Sequence, residues 1–320
     1  MKNYLNHFIR IINVLFNKKF LRKPDFSEKK MILLGKINES NNYKKKIISN
    51  LSKVEFSTFS QFGEDGIISW LIKQIPNVKK TFLEIGTQDY WESNTRFLIQ
   101  SHNWNGYIIE ASSADVRKIK TQGLFWKKNL IVINKFVTKE NINSIIKKNF
   151  KNLKFGLFSL DIDGNDYWIL KQVDIKSDLI VCEYNPIFGD IHELTIPYEK
   201  DFDRSKKHYS NLFFGCSIQA LISLMRKKGY LFLGTNSEGM NAFFVDKKKI
   251  KYLKNKIKEK KIFFPILKEG RSRNSKLNYK KLFENLHLIK NKKVYDIKRS
   301  KIIKLSEIQN LYSEKWKKFK

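Results

Sequence analysis

The sequence predicts an α/β protein: a doubly wound, mostly parallel sheet with an antiparallel hairpin at one edge and helical N- and C-terminal extensions. Three observations carry that prediction. Short apolar runs alternate with helical segments between residues 81 and 183, the pattern of parallel strands joined by right-handed crossovers. Acidic residues stand at the ends of three of those runs. Two further runs near residues 230–246 flank the polar turn Asn236-Ser237-Glu238-Gly239-Met240-Asn241 and read as the hairpin.

The elements follow in order. Leu5, Phe8, Ile9, Ile12, Leu15 and Phe16 recur at helical spacing in residues 4–21, ahead of a basic end. That amphipathic helix either docks on the domain or lies in a membrane interface. Residues 24–53 are polar and rich in Lys and Asn, a linker or loose helix. A polar turn at 59–66 leads into a helix over Ile67–Ile75, ended by Pro76. Strand one is Thr81–Ile85 and its helix Asn94–Ser101. Strand two is Gly106–Glu110, and Ser112 or Ser113 caps a helix to Gln122. Strand three is Leu130–Phe136, with a helix over Glu140–Phe150. Strand four is Phe155–Ile162, with a short helix over Asp166–Val173. Strand five is Leu179–Glu183. A helix over Ser217–Lys228 precedes the hairpin strands Tyr230–Thr235 and Ala242–Asp246. Beyond residue 250 the chain is Lys-rich and expected to be mostly helical, broken at Pro265 and Gly270, with Trp316 and Phe319 docking back on the domain.

The 320 residues suit one large domain over 56–250 between a basic extension at 1–55 and another at 251–320. The net charge of +32 is uneven: residues 1–50 carry +9, residues 251–320 carry +17, and the 200 residues between carry +6. Basic flanks suggest an anionic partner, nucleic acid or a membrane surface. A bias towards Lys, Asn and Ile throughout the chain is the blander cause. Cys182 and Cys216 are too few for a disulfide framework, so a reduced, cytoplasmic protein is expected. No apolar run is long enough to span a bilayer, and the first residues lack a signal-peptide pattern.

The turn after strand one is the centre of the functional reading. Glu84 and Gly86 close the strand, and Thr87 and Gln88 open a polar loop towards the next helix. Gly86 can admit a ligand close to the backbone, and N–H groups at a helix start favour an anionic or polar group. Ligands of open α/β sheets lie beyond the carboxyl ends of the strands. Glu110 ends strand two, 26 residues past Glu84, where a carboxylate can accept both hydroxyls of a ribose. The turn holds one glycine and no G-x-G-x-x-G, which argues against a pyrophosphate. Asp161 and Asp163 end strand four, near where a reacting group would sit, and share a face if the strand is regular there.

The string Ser159-Leu160-Asp161-Ile162-Asp163-Gly164-Asn165-Asp166-Tyr167-Trp168 resembles the strand-four motif of FkbM-like methyltransferases, a branch of the class I S-adenosylmethionine-dependent, Rossmann-like methyltransferase fold. Glu84-Ile85-Gly86 is similar to that fold's first motif and Ile109-Glu110-Ala111 to its second. Ser60-Gln61-Phe62-Gly63-Glu64-Asp65, Tyr184-Asn185, Phe188-Gly189 and Asn241-Ala242-Phe243-Phe244-Val245 also resemble this group, so that the likeness spans residues 56–246. It implies methyl transfer to an oxygen of a sugar, surface glycan or other small molecule. S-adenosylmethionine would lie against Gln61, Glu84, Gly86, Thr87, Gln88, Glu110, Ala111 and Asp161. Candidates for the base that takes the acceptor's proton are Asp161, Asp163, His192 and His208. Asp161, Asp163 and Asp166 offer hard oxygens to Mg²⁺, although their spacing matches no defined cation loop, and a turn with a helix cap explains Asp166 as well. Two other readings compete: an RNA methyltransferase using the basic flanks, and a non-catalytic, membrane-associated binding protein on the same fold.

Overall fold

The computed structural model describes residues 26–151 and 153–319, so the helix expected over residues 4–21 lies outside the described residues. The central sheet has seven strands: β1 (Thr81–Ile85), β2 (Asn105–Glu110), β3 (Leu130–Asn134), β4 (Phe155–Leu160), β5 (Ser177–Glu183), β7 (Tyr230–Thr235) and β8 (Asn241–Asp246). Their spatial order is β3-β2-β1-β4-β5-β8-β7. The first five run parallel; β8 pairs antiparallel with both β5 and β7, which makes the expected edge hairpin. This is the doubly wound, mostly parallel sheet of the Rossmann-like methyltransferase fold.

The centre of the sheet explains its sequence. Every residue of β4 is buried, because helices cover both faces of a parallel sheet and leave no polar side to alternate with. One core lies on one face around Leu83, Ile109, Phe158, Ile180 and Phe244. A second lies on the other around Phe82, Ile108, Leu157, Val181 and Phe243. Consecutive residues of each strand thus point to opposite cores, as a pleated strand demands.

The helices follow the capping signals. Helix α1 (Phe26–Tyr43) occupies the stretch expected to be a linker or loose helix. Its Lys- and Asn-rich composition hid the helix; at Gly35 in its middle a Cβ would meet Thr58 and Phe97, so glycine permits the close crossing. Helix α2 (Glu64–Gln74) starts three residues earlier than expected, and α3 spans Arg96–His102. Ser112 caps α4 (Ser113–Thr121) by accepting from the Asp115 N–H. Short α5 (Gly123–Lys127), α6 (Ile142–Phe150) and α7 (Asp166–Gln172) follow, then the single turn α8 (Arg204–Lys207). Ser217 caps α9 (Ile218–Lys227).

The C-terminal segment corrects the expectation of a mostly helical extension. It forms β9 (Leu267–Arg271) paired with β10 (Leu277–Lys281), and β11 (Lys293–Asp296) set between β12 (Lys301–Lys304) and the short β6 (Leu194–Thr195). Its α-helical elements are α10 (Leu282–Ile289) and the turn α11 (Glu314–Lys317), with a 3-10 turn at Leu305–Glu307. Lysine-rich strands with few apolar residues carry no clear period of two, and pairing with β6 decides the matter. Leu282, Val294, Tyr312 and Trp316 join Ile187, Leu194, Phe202 and Phe214 in a third core. Trp316 is fully buried against Phe264 and Tyr312, and Phe319 stacks on Phe264, as their expected docking requires.

Candidate active site

Sheet register assembles the site. Ile85 is level with Ile109 on one side and Leu160 on the other, and Leu160 is level with Cys182. One residue further along each strand come Gly86, Glu110, Asp161 and Glu183, and Glu183 pairs across to Asn241 of β8. Glu110, Gly86, Asp161, Glu183 and Asn241 therefore form one row along the carboxyl edge of the sheet. All five line a single cleft of about 740 Å³.

The half of the cleft beside the loops after β1 and β2 is a set of clasped loops. Glu110 accepts from the N–H groups of Thr87 and Gln88 at 2.9 Å each, and from Ser112 at 2.8 Å. It thereby ties the loop after β1 to the loop after β2. Gln88 and Tyr90 hold positive φ in that clasped loop, a strain of the kind found at ligand clamps. Glu84 lines the cleft, but its carboxylate is bound by the Ser93 and Thr95 hydroxyls and the Asn94 N–H. Burial lifts its pKa against those bonds. The structure thus makes Glu84 a brace for the loop rather than a free acceptor of ribose hydroxyls. Gly86 also gains a different reason. Its φ of +80° and the Asp161 carbonyl oxygen, on which a Cβ would fall, both demand glycine. Gln61 and Phe62 reach the cleft from a rigid turn, in which Asp65 accepts the N–H groups of Thr58, Phe59 and Ser60. Thr87, Gln88 and Ala111 complete this side.

The reacting half gathers carboxyl groups. Asp161 and Asp163 were expected on one face of a regular strand; β4 stops at Leu160, and Asp163 turns with φ +55°. The turn still converges them: Asp161, Asp163 and Glu183 each bring an oxygen within 4.8 Å of the other two. Burial, then the neighbouring Glu183 and Asp163, push the Asp161 pKa well above the carboxylate range. Glu183 is pushed up to about 7, by burial first, with Lys268 opposing the rise. Burial and mutual repulsion thus both favour the protonated form of this pair relative to ordinary carboxylates. Asp163 pairs with Arg204, whose guanidinium lies 5.1 Å from the Phe214 ring centre. Lys268 reaches in from β9, 3.8 Å from Glu183 and 5.2 Å from the same ring.

Three earlier candidates fall elsewhere. Asp166 does not join the carboxyl group: its two oxygens accept from the Ile162 and Gly164 N–H groups and hold the turn into α7. Asp161, Asp163 and Asp166, offered by the sequence only as a candidate Mg²⁺ set, are not gathered together; Glu183 stands in the third position beside Asp161 and Asp163, with Arg204 and Lys268 supplying positive charge. His192 binds the Gln309 carbonyl on the C-terminal segment, outside the cleft lining. His208 binds Ser210 and is likewise outside it, with burial lowering its pKa. Both follow β5 in sequence, but the turn at Pro186–Phe188 carries the chain onto the third core.

Sequence reasoning missed Glu183, Arg204 and Lys268. Glu183 was legible as one more acid ending a parallel strand. Arg204 and Lys268 carried no signal, because the segments that bring them in have no motif. Three buried side-chain oxygens of the lining have no hydrogen-bond partner: Asn165 Oδ1, Glu183 Oε2 and Asn241 Oδ1. Buried acceptors left open in a cleft suit a ligand with hydroxyl or amino donors.

The charge of the lining is opposite to that of the chain. Nine acidic and four basic side chains face the cleft of a protein with 63 Lys and Arg against 31 Asp and Glu.

No family model matches the chain, and no curated protein does. Solved structures do. One is TrmK of M. capricolum in complex with S-adenosylhomocysteine, 13% identical over 57% of this chain and 68% of that one, with a TM-score of 0.35. An S-adenosylmethionine-dependent methyltransferase from Clostridium acetobutylicum is 12% identical over 57% of this chain and 89% of its own, TM-score 0.35. The mitomycin 7-O-methyltransferase MmcR is 12% identical over 57% of this chain and 56% of its own, TM-score 0.33. Likenesses this distant carry no argument, and the residues of the cleft decide what it can do.

Proposed function

We propose that the chain is an S-adenosylmethionine-dependent methyltransferase that methylates a hydroxyl oxygen of a sugar, surface glycan or other small polar molecule. The observation that supports this reading is the row of strand-end residues Glu110, Gly86, Asp161 and Glu183 along one acidic cleft. S-adenosylmethionine bound there would supply a sulfonium methyl group to an attacking oxygen. The excess of carboxylates suits a cationic ligand and opposes a polyanion, so the RNA reading loses ground despite the basic flanks.

The residues divide the work. Glu110 keeps one acceptor position on Oε1 for a ribose hydroxyl while it clasps the first loop. The open oxygens of Asn165 and Asn241 take donors from cofactor or acceptor. The Asp161–Glu183 pair, once deprotonated, accepts the proton of the acceptor hydroxyl as the oxygen attacks. A carboxylate that titrates near 7 is a far stronger base than an ordinary one and is still available at neutral pH. Arg204 and Lys268 limit the negative charge that builds up and aim Asp163 and Glu183. Tyr279 at the rim and Phe202 and Phe214 within offer apolar faces to the carbon side of a sugar ring.

The test is methyl transfer from radiolabelled S-adenosylmethionine to a panel of saccharides and nucleotide-linked sugars, with bulk tRNA and rRNA beside them. Label on a saccharide oxygen is expected. Label on RNA alone would replace this reading, and cofactor binding without transfer to any acceptor would favour the binding-protein reading.

A further inference from the structure

Helix α1 presents an unusual outer surface. Leu33 and Leu34 are each 60% exposed and Ile37 50%, and they lie together on the arc facing away from the domain. Its acids face the other way. Glu28 pairs with the buried Arg96, and Glu39 is buried between Tyr43 and His102. Every charged side chain on the outer arc is therefore a lysine: Lys29, Lys30 and Lys36 are exposed there, and the exposed Lys44, Lys46 and 57% exposed Ile47 follow just past the end of the helix. A free surface helix of a soluble domain has the opposite arrangement, with apolar residues inward and mixed charges outward.

We propose that the outer arc of α1 docks on an anionic lipid bilayer, with Leu33, Leu34 and Ile37 entering the headgroup boundary and the lysines contacting acidic headgroups. A helix with apolar and lysine-only character on one arc is what an interfacial surface needs, since long lysine stems let the charge stay in water above buried apolar groups. A second copy of the chain fits badly, because two such arcs would set lysines against lysines. The one-sided removal of Glu28 and Glu39 is what makes the arc attractive to negative lipid and to little else. Arg96, the partner of Glu28, also bonds the Tyr90 carbonyl and so ties the start of α1 to the loop after β1.

Flotation of the full chain with vesicles tests this, using equimolar phosphatidylglycerol and phosphatidylcholine against phosphatidylcholine alone. The wild type should float with the anionic vesicles at about 0.1 M salt, and lose most of that binding at 1 M salt or on neutral vesicles. The triple variant Leu33→Glu, Leu34→Glu, Ile37→Glu should partition at least about tenfold less. Lys29→Glu, Lys36→Glu, Lys44→Glu should weaken binding to anionic vesicles alone. All these side chains are exposed, and an unchanged melting temperature would verify folding. Undiminished flotation of both variants would overturn the proposal by moving the contact elsewhere on the chain. So would a wild type that stays unbound at low salt, or one that binds neutral and anionic vesicles alike. A dimer that the leucine variant dissolves, without vesicle binding by the wild type, would assign the arc to a second copy instead.

Discussion

Replacing Glu110 with alanine removes three hydrogen bonds of 2.8–2.9 Å from one carboxylate. Bonds to a charged acceptor contribute about 1.5–3 kcal/mol each, but the loss depends on what water can restore. Gln88 is exposed and Ser112 half-buried, so their N–H groups find water; Thr87 is buried and its N–H does not. The expected loss of folding stability is thus close to the value of one such bond, about 2–3 kcal/mol. Cofactor binding must then reorder a loop that has lost its clasp, and it also forfeits the ribose acceptor. A loss of about 2 kcal/mol in affinity is about 30-fold in Kd. Glu110→Gln keeps one oxygen for the Thr87 and Gln88 N–H groups and loses only the charge, so it should fall about tenfold or less. Calorimetric titration of S-adenosylmethionine into the wild type and both variants measures this, with thermal unfolding to separate folding from binding. A folded Glu110→Ala protein with unchanged Kd would refute the assignment of Glu110 to the cofactor.

Other outcomes follow from the same geometry. Asp161→Asn should abolish turnover and leave the fold intact, and Glu183→Gln should cut the rate while moving the pH profile; normal turnover in either would remove that residue from the mechanism. In the wild type the rate should rise with pH through about 7, as the Asp161–Glu183 pair loses its proton. Stability should move the other way. Glu183 has a raised pKa in the folded state, so its contribution is complete below the ordinary glutamate value and is lost as pH rises through about 7. Denaturant melts across pH 5–8 would register that trend, and a flat or rising curve would contradict it. Gly86→Ala places a Cβ on the Asp161 carbonyl oxygen at φ +80°, and should cost about 3 kcal/mol or prevent folding. Trp316→Ala should cost about 3–5 kcal/mol in urea unfolding, because the C-terminal segment shares a core with the loops after β5; a surface-like loss below about 0.5 kcal/mol would contradict that packing.

The sheet was legible because its strands are buried on both faces. Apolar runs such as Phe155–Leu160, broken only by Ser159, and Leu179–Cys182 carry no charged residue to obscure them, and Ser112 and Ser217 announce their helices by capping chemistry. Strand-end acids were legible for the same reason: a carboxylate closing an apolar run stands out. Roles were less legible than positions. Glu84 and Glu110 look alike in sequence, yet one braces a loop internally and the other clasps two loops at the cleft wall. Asp166 looks like a third ligand beside Asp161 and Asp163, and only the N–H groups of Ile162 and Gly164 show it to be a turn cap. The C-terminal strands were hidden because lysine-rich sequence gives their two hairpins, β9–β10 and β11–β12, no alternation of apolar and polar residues, and because β11 takes its other partner, β6, from about a hundred residues away. With them went Lys268, a buried lysine in a lysine-rich stretch that nothing in the sequence distinguishes from its exposed neighbours.

Hydrogen exchange of the full chain with and without S-adenosylmethionine is the most direct measurement. If the strand tips enclose one adenosyl ligand, amides at Gly86–Gln88, Ala111 and Ile162–Gly164 should slow together, at a single cofactor concentration. Protection at one tip without the others, or no change anywhere along that row, would contradict a shared cofactor cleft.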